Sequence, residues 1–410
     1  MDILYLSQYF PPEIGAPAAR VHELSREWVR LGHRVQVVTA FPNHPTGIVP
    51  PEYRGRLVDR EMIDGIEVLR NWTLAVPNRA LPLRVATQLS FPLSVIGLGL
   101  PRVRRPDVVL ATSPSIFTSV SGLAYARVLR APFVFEVRDL WPQLFIEMGL
   151  VRNRALIRVL EAAELFQYRQ ARRVVVVTRR FKEILAGRGV PAGKIDVIRN
   201  GVDLETFRED AGARAEIRAR HGLDGRFVLG YIGTHGLLHG LSSVLDAADR
   251  LRDDDGIRFL FVGHGHEREK LLASAAKRRL PNVVFVPGRP RDEIPGYYSA
   301  CDACLIALRR DPFLAENFVP SKLFEIMGCG RPVVASLAGE GAEIVREAGA
   351  GVVVEPEDGA ALAAAVRELS SRPEQVSELG RAARRAAEAQ YSRRVLAQRY
   401  AAILGEVAAA

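Results

Sequence analysis

The most informative segment of this sequence is Asn317-Phe-Val-Pro-Ser-Lys-Leu-Phe-Glu-Ile-Met-Gly-Cys-Gly-Arg-Pro-Val-Val334. It predicts a short helix with Ser321 as its N-cap, ended by two glycines. The apolar run Pro332–Ala335 then predicts a buried parallel strand. A helix N-terminus carries unpaired N–H groups, so Lys322 in the first turn and Glu325 one turn later predict a site for an anion and a diol. The alternative is a solvated lysine and glutamate on an ordinary helix.

Length and composition predict two soluble globular domains. The chain has 410 residues, of which 48% are hydrophobic and 25% are charged. A strand-like run follows Met1-Asp2 at once, so we expect no secretory signal peptide. No apolar run reaches the ~20 residues that a membrane-spanning helix needs. Three cysteines are too few for a disulfide framework and indicate a reducing cytoplasm.

Positive charge is concentrated in the first half of the chain. Residues 1–200 contain 28 Lys and Arg against 17 Asp and Glu, whereas residues 201–410 contain 28 against 30. A basic half is compatible with nucleic acid, acidic lipid or a phosphorylated substrate. Nucleic acid is disfavoured because the basic residues are dispersed and lack interleaved aromatic side chains.

The first half reads as strands with ligand-binding loops at their carboxyl ends. A strand, a loop containing Gly15, a helix and a second strand form a βαβ unit, and the glycine lets the backbone approach a phosphate. The loop lacks the G-x-G-x-x-G pattern, which disfavours a nicotinamide or flavin site. Arg138 and Asp139 follow the strand Pro132–Val137, at the edge where open α/β sheets bind ligands. Asp139 either contacts a substrate hydroxyl or holds Arg138 in place.

The segment from Val76 to Arg105 has two interpretations. Its apolar residues alternate with arginines, which is compatible with a pair of core helices carrying solvated arginines. The same pattern is compatible with a surface that enters the interface of an anionic membrane, with Arg102, Arg104 and Arg105 near the lipid headgroups. We favour the membrane interpretation slightly.

The second half opens with another phosphate-binding pattern. The strand beginning at Phe227 runs into Gly233-Thr-His-Gly236 and then a helix, a geometry that can hold a phosphate. Cys301 and Cys304 form a Cys-x-x-Cys pair at the start of a buried strand, which indicates packing and not a zinc or dithiol site. No Asp-x-Asp pair stands at a strand end, so we expect no metal ion and no other cofactor.

The segment from Ser321 to Val333 resembles the signature of retaining glycosyltransferases of family 4. Arg-Asp-Leu-Trp-Pro from Arg138 and Gly-Thr-His-Gly from Gly233 resemble the branch of bacterial N-acetyl-L-fucosamine transferase-like enzymes. The resemblance implies an α/β, GT-B fold, in which two doubly wound Rossmann-like domains face each other across a cleft. It implies an acceptor-side domain at 1–203, a nucleotide-sugar domain at 204–390, and a final helix within 391–410 that packs back on the first domain.

The resemblance also implies site residues. The expected catalytic residues are Arg138, Asp139, Lys322 and Glu325. The expected nucleotide-sugar contacts are Gly15, Gly233, Thr234, His235, Gly236, Arg289, Asn317, Phe318, Val319, Lys322 and Glu325. The sequence departs from the family at three positions. Asn317 stands where the family usually has its first glutamate, and Thr234 and His239 stand where many members have Arg and Lys.

The resemblance implies that the enzyme transfers a hexose or an N-acetylated amino sugar from a nucleotide diphosphate sugar, with retention of configuration. We expect the nucleotide to be UDP. The acceptor would be a hydroxyl of a glycan, a lipid-linked molecule or a small molecule. The expected location is the cytoplasm, with peripheral contact to an anionic membrane and no nucleic acid partner. Two alternatives stay open at this point: a nucleotide-sugar 2-epimerase of GT-B fold, and a non-catalytic nucleotide-sugar-binding protein.

Overall fold

The computed structural model describes residues 1–13, 15–44, 46–76, 81–113, 116–140, 143, 146 and 153–410. They form two compact units, Met1–Arg199 with Arg393–Ala410, and Asn200–Ser392. The chain therefore enters the second unit at Asn200, ahead of the predicted boundary at 203. The physical reason is Val202, which pairs with Ser392 in an isolated bridge and is buried in the second unit's core.

The first unit is built on a largely parallel sheet. In the described part of the chain, eight strands lie in the order β3-β4-β2-β1-β5-β6-β7-β8. Their bounds are β1 Asp2–Leu6, β2 Arg34–Ala40, β3 Val58–Ile63, β4 Ile66–Asn71, β5 Val108–Thr112, β6 Phe133–Val137, β7 Arg173–Val176 and β8 Ile195–Val197. Strands β3 and β4 form an antiparallel hairpin that turns at Asp64-Gly65. The other pairings are parallel, so the sheet presents one carboxyl edge to ligands.

Helices cover both faces of the first sheet. Their bounds are Ala16–Arg30, Leu81–Ser94, Ile116–Leu129, Arg154–Gln170, Arg179–Gly187 and Arg393–Ala409. Trp28 and Tyr400 join the first and last of these helices on one face, with ring centroids 5.4 Å apart. Trp28 Nε1 also donates to the Ala397 carbonyl at 3.0 Å. These contacts hold the final helix of the chain on the first unit.

The segment after residue 80 forms one helix and not the helix pair that the sequence suggested. The helix Leu81–Ser94 continues into a π-turn at Val95–Gly99 and a 3-10 turn at Leu100–Arg102. Phe91 and Val95 are fully buried in the core, whereas Leu93 is 73% exposed. Among the residues that the structure describes, no helix combines the length and apolar character needed to cross a bilayer.

The second unit has a parallel sheet with the order β11-β10-β9-β12-β13-β14 among its described residues. The strands are β9 Phe227–Ile232, β10 Ile257–Val262, β11 Val283–Val286, β12 Ala303–Ala307, β13 Val333–Ser336 and β14 Gly351–Val354. The helices are Ala211–His221, Ser242–Arg250, Arg268–Arg278, Ile294–Ala300, Pro312–Asn317, Lys322–Gly328, Glu340–Glu347, Gly359–Ser370 and Pro373–Ala386. The predicted strand after Pro332 is confirmed as β13, which is fully buried between β12 and β14.

Candidate functional site

The strand order of the second unit fixes where a ligand can bind. The chain runs from β9 outward through β10 to β11 and then returns to β12 on the other side of β9. The loops after β9 and β12 therefore leave the sheet at its topological switch point, where open α/β sheets bind ligands. Arg309, after β12, donates its backbone N–H to the Leu238 carbonyl in the loop after β9 at 2.9 Å. The two loops form one continuous surface.

Lys322 reaches this switch point and lies against Gly233. Gly233 has φ 138°, a conformation suited to glycine, and an added Cβ would stand 2.9 Å from Lys322 Nζ. The ammonium donates to Tyr231 Oη at 3.0 Å and lies 4.1 Å from the centroid of the same ring. Burial lowers the pKa of Lys322 to about 8, although Glu325 opposes the shift. A cation is therefore held directly at the glycine loop.

The two histidines of the loop are uncharged neighbours of this lysine. Burial and Lys322 together lower the pKa of His239 to about 4, and its Nδ1 lies 3.2 Å from the Ala307 carbonyl oxygen. Burial, with Arg268 and then Lys322, lowers the pKa of His235 to about 4. Lys322 therefore supplies the positive charge here at neutral pH, and the histidines do not compete with it.

The predicted loop residues differ in accessibility. Thr234 is exposed, and its carbonyl accepts a hydrogen bond from Tyr231 Oη at 2.8 Å. Gly236 precedes the 3-10 turn Leu237–His239. His235 is fully buried, and neither ring nitrogen has a hydrogen-bond partner among the described residues. The side chain of His235 does not face solvent in this conformation, because its ring packs against Tyr231 and Phe261; its predicted contact with a ligand stays a prediction.

Ser321 stands at the N-cap position of the helix Lys322–Gly328, as predicted, but its side chain does not cap the helix. Ser321 has helical angles, φ −60° and ψ −30°, and its hydroxyl makes no capping hydrogen bond. The amides of Leu323 and Phe324 donate to the Pro320 and Ser321 carbonyls at 3.1 Å each. A tight first turn therefore uses two of the N–H groups that the sequence assigned to an anion. The positive charge at this end of the helix comes from Lys322.

Glu325 is held by two residues that the sequence reasoning missed. Its Oε1 lies 3.3 Å from Arg291 Nη1, and its Oε2 accepts from Tyr298 Oη at 3.3 Å. Arg291 follows the glycine after β11, two positions beyond the predicted Arg289, so the region was recognisable but the residue was not. A carboxylate is an acceptor of the kind that a diol requires, and these two contacts fix its orientation.

Arg289 lies on a different neighbour. Its guanidinium is 5.9 Å from the centroid of the Tyr297 ring, and its Nη1 is 4.0 Å from Glu293. The structure therefore brings Arg291 to Glu325, whereas the Arg289 side chain contacts Tyr297 of the helix Ile294–Ala300. The predicted contact of Arg289 with a nucleotide stays a prediction.

The residues before the Lys322 helix have mainly packing contacts. Asn317 is 6% exposed, and its Nδ2 donates to the Phe313 carbonyl at 2.9 Å. Its Oδ1 is buried and has no partner among the described residues. Phe318 and Val319 pack partly against the core of the second unit. Asn317 therefore keeps one unused acceptor, whereas the other two side chains support the fold.

The first unit places two predicted regions at its own carboxyl edge. Gly15 has φ 154° and precedes the helix Ala16–Arg30, which has no side-chain cap. The buried Glu13 fixes the loop before it by accepting from the amides of Asn43 at 2.9 Å and His44 at 3.0 Å. The loop after β1 is thus anchored to the chain that follows β2.

Arg138 and Asp139 follow β6 in the first unit. The Arg138 amide donates to Ser113 Oγ at 2.8 Å, which ties this end of β6 to the end of β5. Burial, with Arg20 nearby, lowers the pKa of the Arg138 guanidinium. Burial raises the pKa of Asp139, although Arg138 opposes the shift. The predicted Trp-Pro continuation of this motif lies outside the described residues.

Comparisons with known proteins agree with this architecture. A family model described as Glycosyl transferase 4-like domain matches residues 15–201, and one described as Glycosyl transferases group 1 matches residues 213–386. The chain is a group 1 glycosyltransferase. It is 27% identical over 388 residues to the putative colanic acid biosynthesis glycosyl transferase WcaI of Escherichia coli K12, covering 91% of this chain and 93% of that protein.

Solved structures match this glycosyltransferase over its full length. Sucrose-phosphate synthase from Thermosynechococcus elongatus superposes with a TM-score of 0.74 at 19% identity, covering 100% of this chain and 99% of that one. Anabaena Alr3699/HepE in complex with UDP-glucose superposes with a TM-score of 0.72 at 20% identity, covering 99% and 100%. These matches establish the GT-B fold that the sequence predicted.

Proposed function

We propose that this glycosyltransferase moves a hexose or an N-acetylated amino sugar from a UDP-linked donor to a hydroxyl of a glycan, a lipid-linked or a small-molecule acceptor, with retention. The observation that carries the proposal is the Lys322 ammonium seated against Gly233 at the switch point of the second unit. Alr3699/HepE, which shares the fold, was solved with UDP and with UDP-glucose, and this supports the choice of donor.

The chemistry assigned to Lys322 is stabilisation of the leaving group. Glycosyl transfer passes through an oxocarbenium-like state while negative charge grows on the departing diphosphate. A fixed cation in a partly desolvated loop stabilises that charge without reorganising. The neutral histidines around it add no positive charge, so Lys322 is the cation assigned to the diphosphate. We propose that this charge suffices and that the reaction needs no metal ion.

Glu325 is the proposed receptor for the donor ribose. It stands one turn after Lys322 on the same helix, so the two side chains can bind adjacent parts of one nucleotide. Arg291 and Tyr298 orient the carboxylate through both of its oxygens. A ribose diol supplies the two hydroxyl donors that a carboxylate can accept. Arg138 and Asp139 are proposed to serve the reacting sugars from the first unit.

The finer identity of the sugar rests on the resemblance alone. The Arg138-Asp139 and Gly233–Gly236 motifs resemble those of the N-acetyl-L-fucosamine transferase-like branch, and this resemblance favours an N-acetylated amino sugar. Asn317 replaces a carboxylate of the family pattern, and its partnerless Oδ1 offers one neutral acceptor. The oxygen of a neutral amide can accept a hydrogen bond from a hydroxyl or from the N–H of an N-acetyl group.

We also propose peripheral contact with an anionic membrane through the first unit. Leu93, on the helix Leu81–Ser94, is 73% exposed, and Leu89 is 41% exposed. Arg102, Arg104 and Arg105 follow this helix and are exposed. Exposed leucines beside arginines suit the interface of a bilayer that carries negative charge. This contact would bring the enzyme to a lipid-linked acceptor.

The test is a screen of nucleotides and nucleotide-sugars for thermal stabilisation, followed by turnover of two variants with the best donor. We expect Lys322→Ala and Glu325→Ala each to lower turnover by more than tenfold, which is about 1.4 kcal/mol or more of transition-state stabilisation. Lys277→Ala, an exposed lysine of the same unit, is the matched control.

Near-normal turnover in both variants would contradict the assignment of the donor site. Incubation with donor alone separates the rival activities, because an epimerase converts the donor without an acceptor. Tight donor binding with neither transfer nor conversion would indicate a non-catalytic binding protein.

A further inference from the structure

Two guanidinium nitrogens of Arg138, Nε and Nη1, are buried and have no hydrogen-bond partner in the part of the chain that the structure describes. A guanidinium carries five N–H donors, and burying a charged donor without an acceptor costs free energy. A chain retains such a group where something other than its own side chains supplies the acceptor.

The carboxylate nearest to Arg138 along the strand is already used. Glu136 Oε1 accepts from Arg20 Nε at 3.1 Å and from Arg20 Nη2 at 2.9 Å. Glu136 Oε2 accepts from Tyr5 Oη at 2.8 Å and from Thr112 Oγ1 at 2.7 Å. These four hydrogen bonds occupy the carboxylate, and Arg20 adds a second positive charge beside Arg138.

Asp139 does not fill the role either. It stands next to Arg138 in sequence, yet among the described residues it makes no hydrogen bond to the guanidinium. Burial disfavours the charged form of Asp139 and so raises its pKa. Asp139 therefore attracts the charge of Arg138 but does not accept a hydrogen bond from its Nε or Nη1.

The position of Arg138 makes it reachable by a substrate. Its amide is bonded to Ser113 at the end of β5, so the residue sits at the carboxyl edge beside the switch point between β1 and β5. The residue as a whole is only half-buried, so part of its surface is accessible. Open α/β sheets bind ligands at this edge.

We infer that Arg138 is the receptor for an anionic group on the sugar acceptor, a carboxylate or a phosphate. The inference rests on the proposed function, because it names the class of acceptor that the same enzyme uses. Carboxylate and phosphate oxygens match the guanidinium in geometry and charge, and a neutral sugar does not. Arg138 is thus a specificity-determining residue.

The test uses the full chain and thermal stabilisation by three probes at matched ionic strength: glucuronate, glucose 6-phosphate and glucose. We expect the anionic sugars to stabilise the wild type and glucose to have little effect. The larger of the two anionic responses identifies carboxylate or phosphate. In Arg138→Met the affinity for the preferred anionic sugar should fall at least tenfold, with Arg138→Lys intermediate. Arg172→Gln, an exposed arginine of the same unit, should bind like the wild type.

Two further readouts make the outcome decisive. Without ligand, Arg138→Met should unfold at the same or a higher temperature than the wild type, because it removes a charge with two buried nitrogens that have no partner in the described part of the chain. A much lower unfolding temperature would show that the guanidinium is a structural partner and would overturn the inference. Equal responses to glucose and the anionic sugars, or an unchanged anionic response in Arg138→Met, would overturn it too.

Failure of this inference is distinguishable from failure of the proposed function. Stabilisation by UDP should be kept in Arg138→Met and lost in Lys322→Ala. Loss of the UDP response in Arg138→Met, with the anionic-sugar response intact, would assign Arg138 to the donor and overturn the inference. Absence of any nucleotide response in the wild type would count against the proposed function alone.

Discussion

Single residues set the charge at the candidate donor site. Lys322 comes from a distant part of the chain to contact Tyr231 and Gly233, and together the three residues fix one ammonium at the end of β9. The surrounding histidines are neutral at pH 7 because burial holds their pKa near 4. Near neutral pH, anion binding at this loop should therefore depend on the protonation state of Lys322.

Donor affinity should depend on pH through Lys322. Its pKa is lowered to about 8, so the side chain is charged below that pH and neutral above it. We expect the affinity for UDP to fall as the pH rises from 7 to 9.5, with the steepest change near pH 8. Isothermal titration calorimetry across that range measures it. Lys322→Arg is the control, because arginine stays charged; an equally steep fall in that variant would exclude Lys322 as the cause.

Gly233 should not tolerate even alanine. A Cβ at this position would stand 2.9 Å from Lys322 Nζ, on a backbone with φ 138°. We expect Gly233→Ala to displace the ammonium and to weaken UDP binding by tenfold or more. Gly212→Ala is the matched control in the same unit, since its Cβ would meet Asp210 at an ordinary 3.5 Å and its backbone is not in the left-handed region. Equal UDP affinity in the two variants would contradict the proposed geometry.

At the level of elements, the first unit depends on the contact between its first and last helices. The helix Arg393–Ala409 packs on Ala16–Arg30 through Trp28, Leu396 and Tyr400, all buried in one cluster. Arg393 Nε adds a buried hydrogen bond to Glu23 at 2.5 Å. The last 17 residues of regular structure thus complete a core that the first 30 residues begin.

Removing Trp28 should therefore cost far more than removing another tryptophan. Trp28 is fully buried, so we expect Trp28→Ala to lower the free energy of unfolding of the first unit by about 3–5 kcal/mol. Trp72 is 44% exposed, and Trp72→Ala should cost much less. Chemical denaturation followed by circular dichroism compares the two. Similar losses would show that the interface between the two helices is not a major source of stability.

At the level of the whole molecule, the two units differ in charge. The excess of positive charge lies in the residues of the first unit, and the second half of the chain is slightly acidic. Such an asymmetry directs one unit toward negatively charged surfaces at low ionic strength. It supports the proposed membrane contact of the first unit.

Charge reversal tests the membrane contact. We expect replacement of Arg102, Arg104 and Arg105 by glutamate to reduce co-sedimentation with vesicles containing anionic lipid by several-fold. Reversal of three exposed arginines of the second unit, Arg367, Arg381 and Arg385, is the control for net charge. Unchanged sedimentation of the first variant would remove the membrane proposal.

The sequence was sufficient where the signal is local. The apolar run Pro332–Ala335 predicted a buried strand, and β13 lies where that run places it. Ser321 occupies the predicted N-cap position, but its side chain makes no capping bond because the carbonyls of Pro320 and Ser321 accept from the first amides of the helix, an arrangement that the residue type does not reveal. The domain boundary at 203 was displaced because Val202 pairs with Ser392, far along the chain.

The amino-acid order alone specified two doubly wound units, the glycine loop after β9, and a lysine and glutamate one turn apart on a helix, because those features depend on neighbours within a few positions. Tertiary structure was needed to seat Lys322 on Tyr231, 91 positions away, and to bring Arg291 to Glu325, 34 positions away. It was also needed to show that Glu136 is fully engaged and Arg138 is not. Contacts of that range depend on strand order and side-chain packing, which no local pattern encodes.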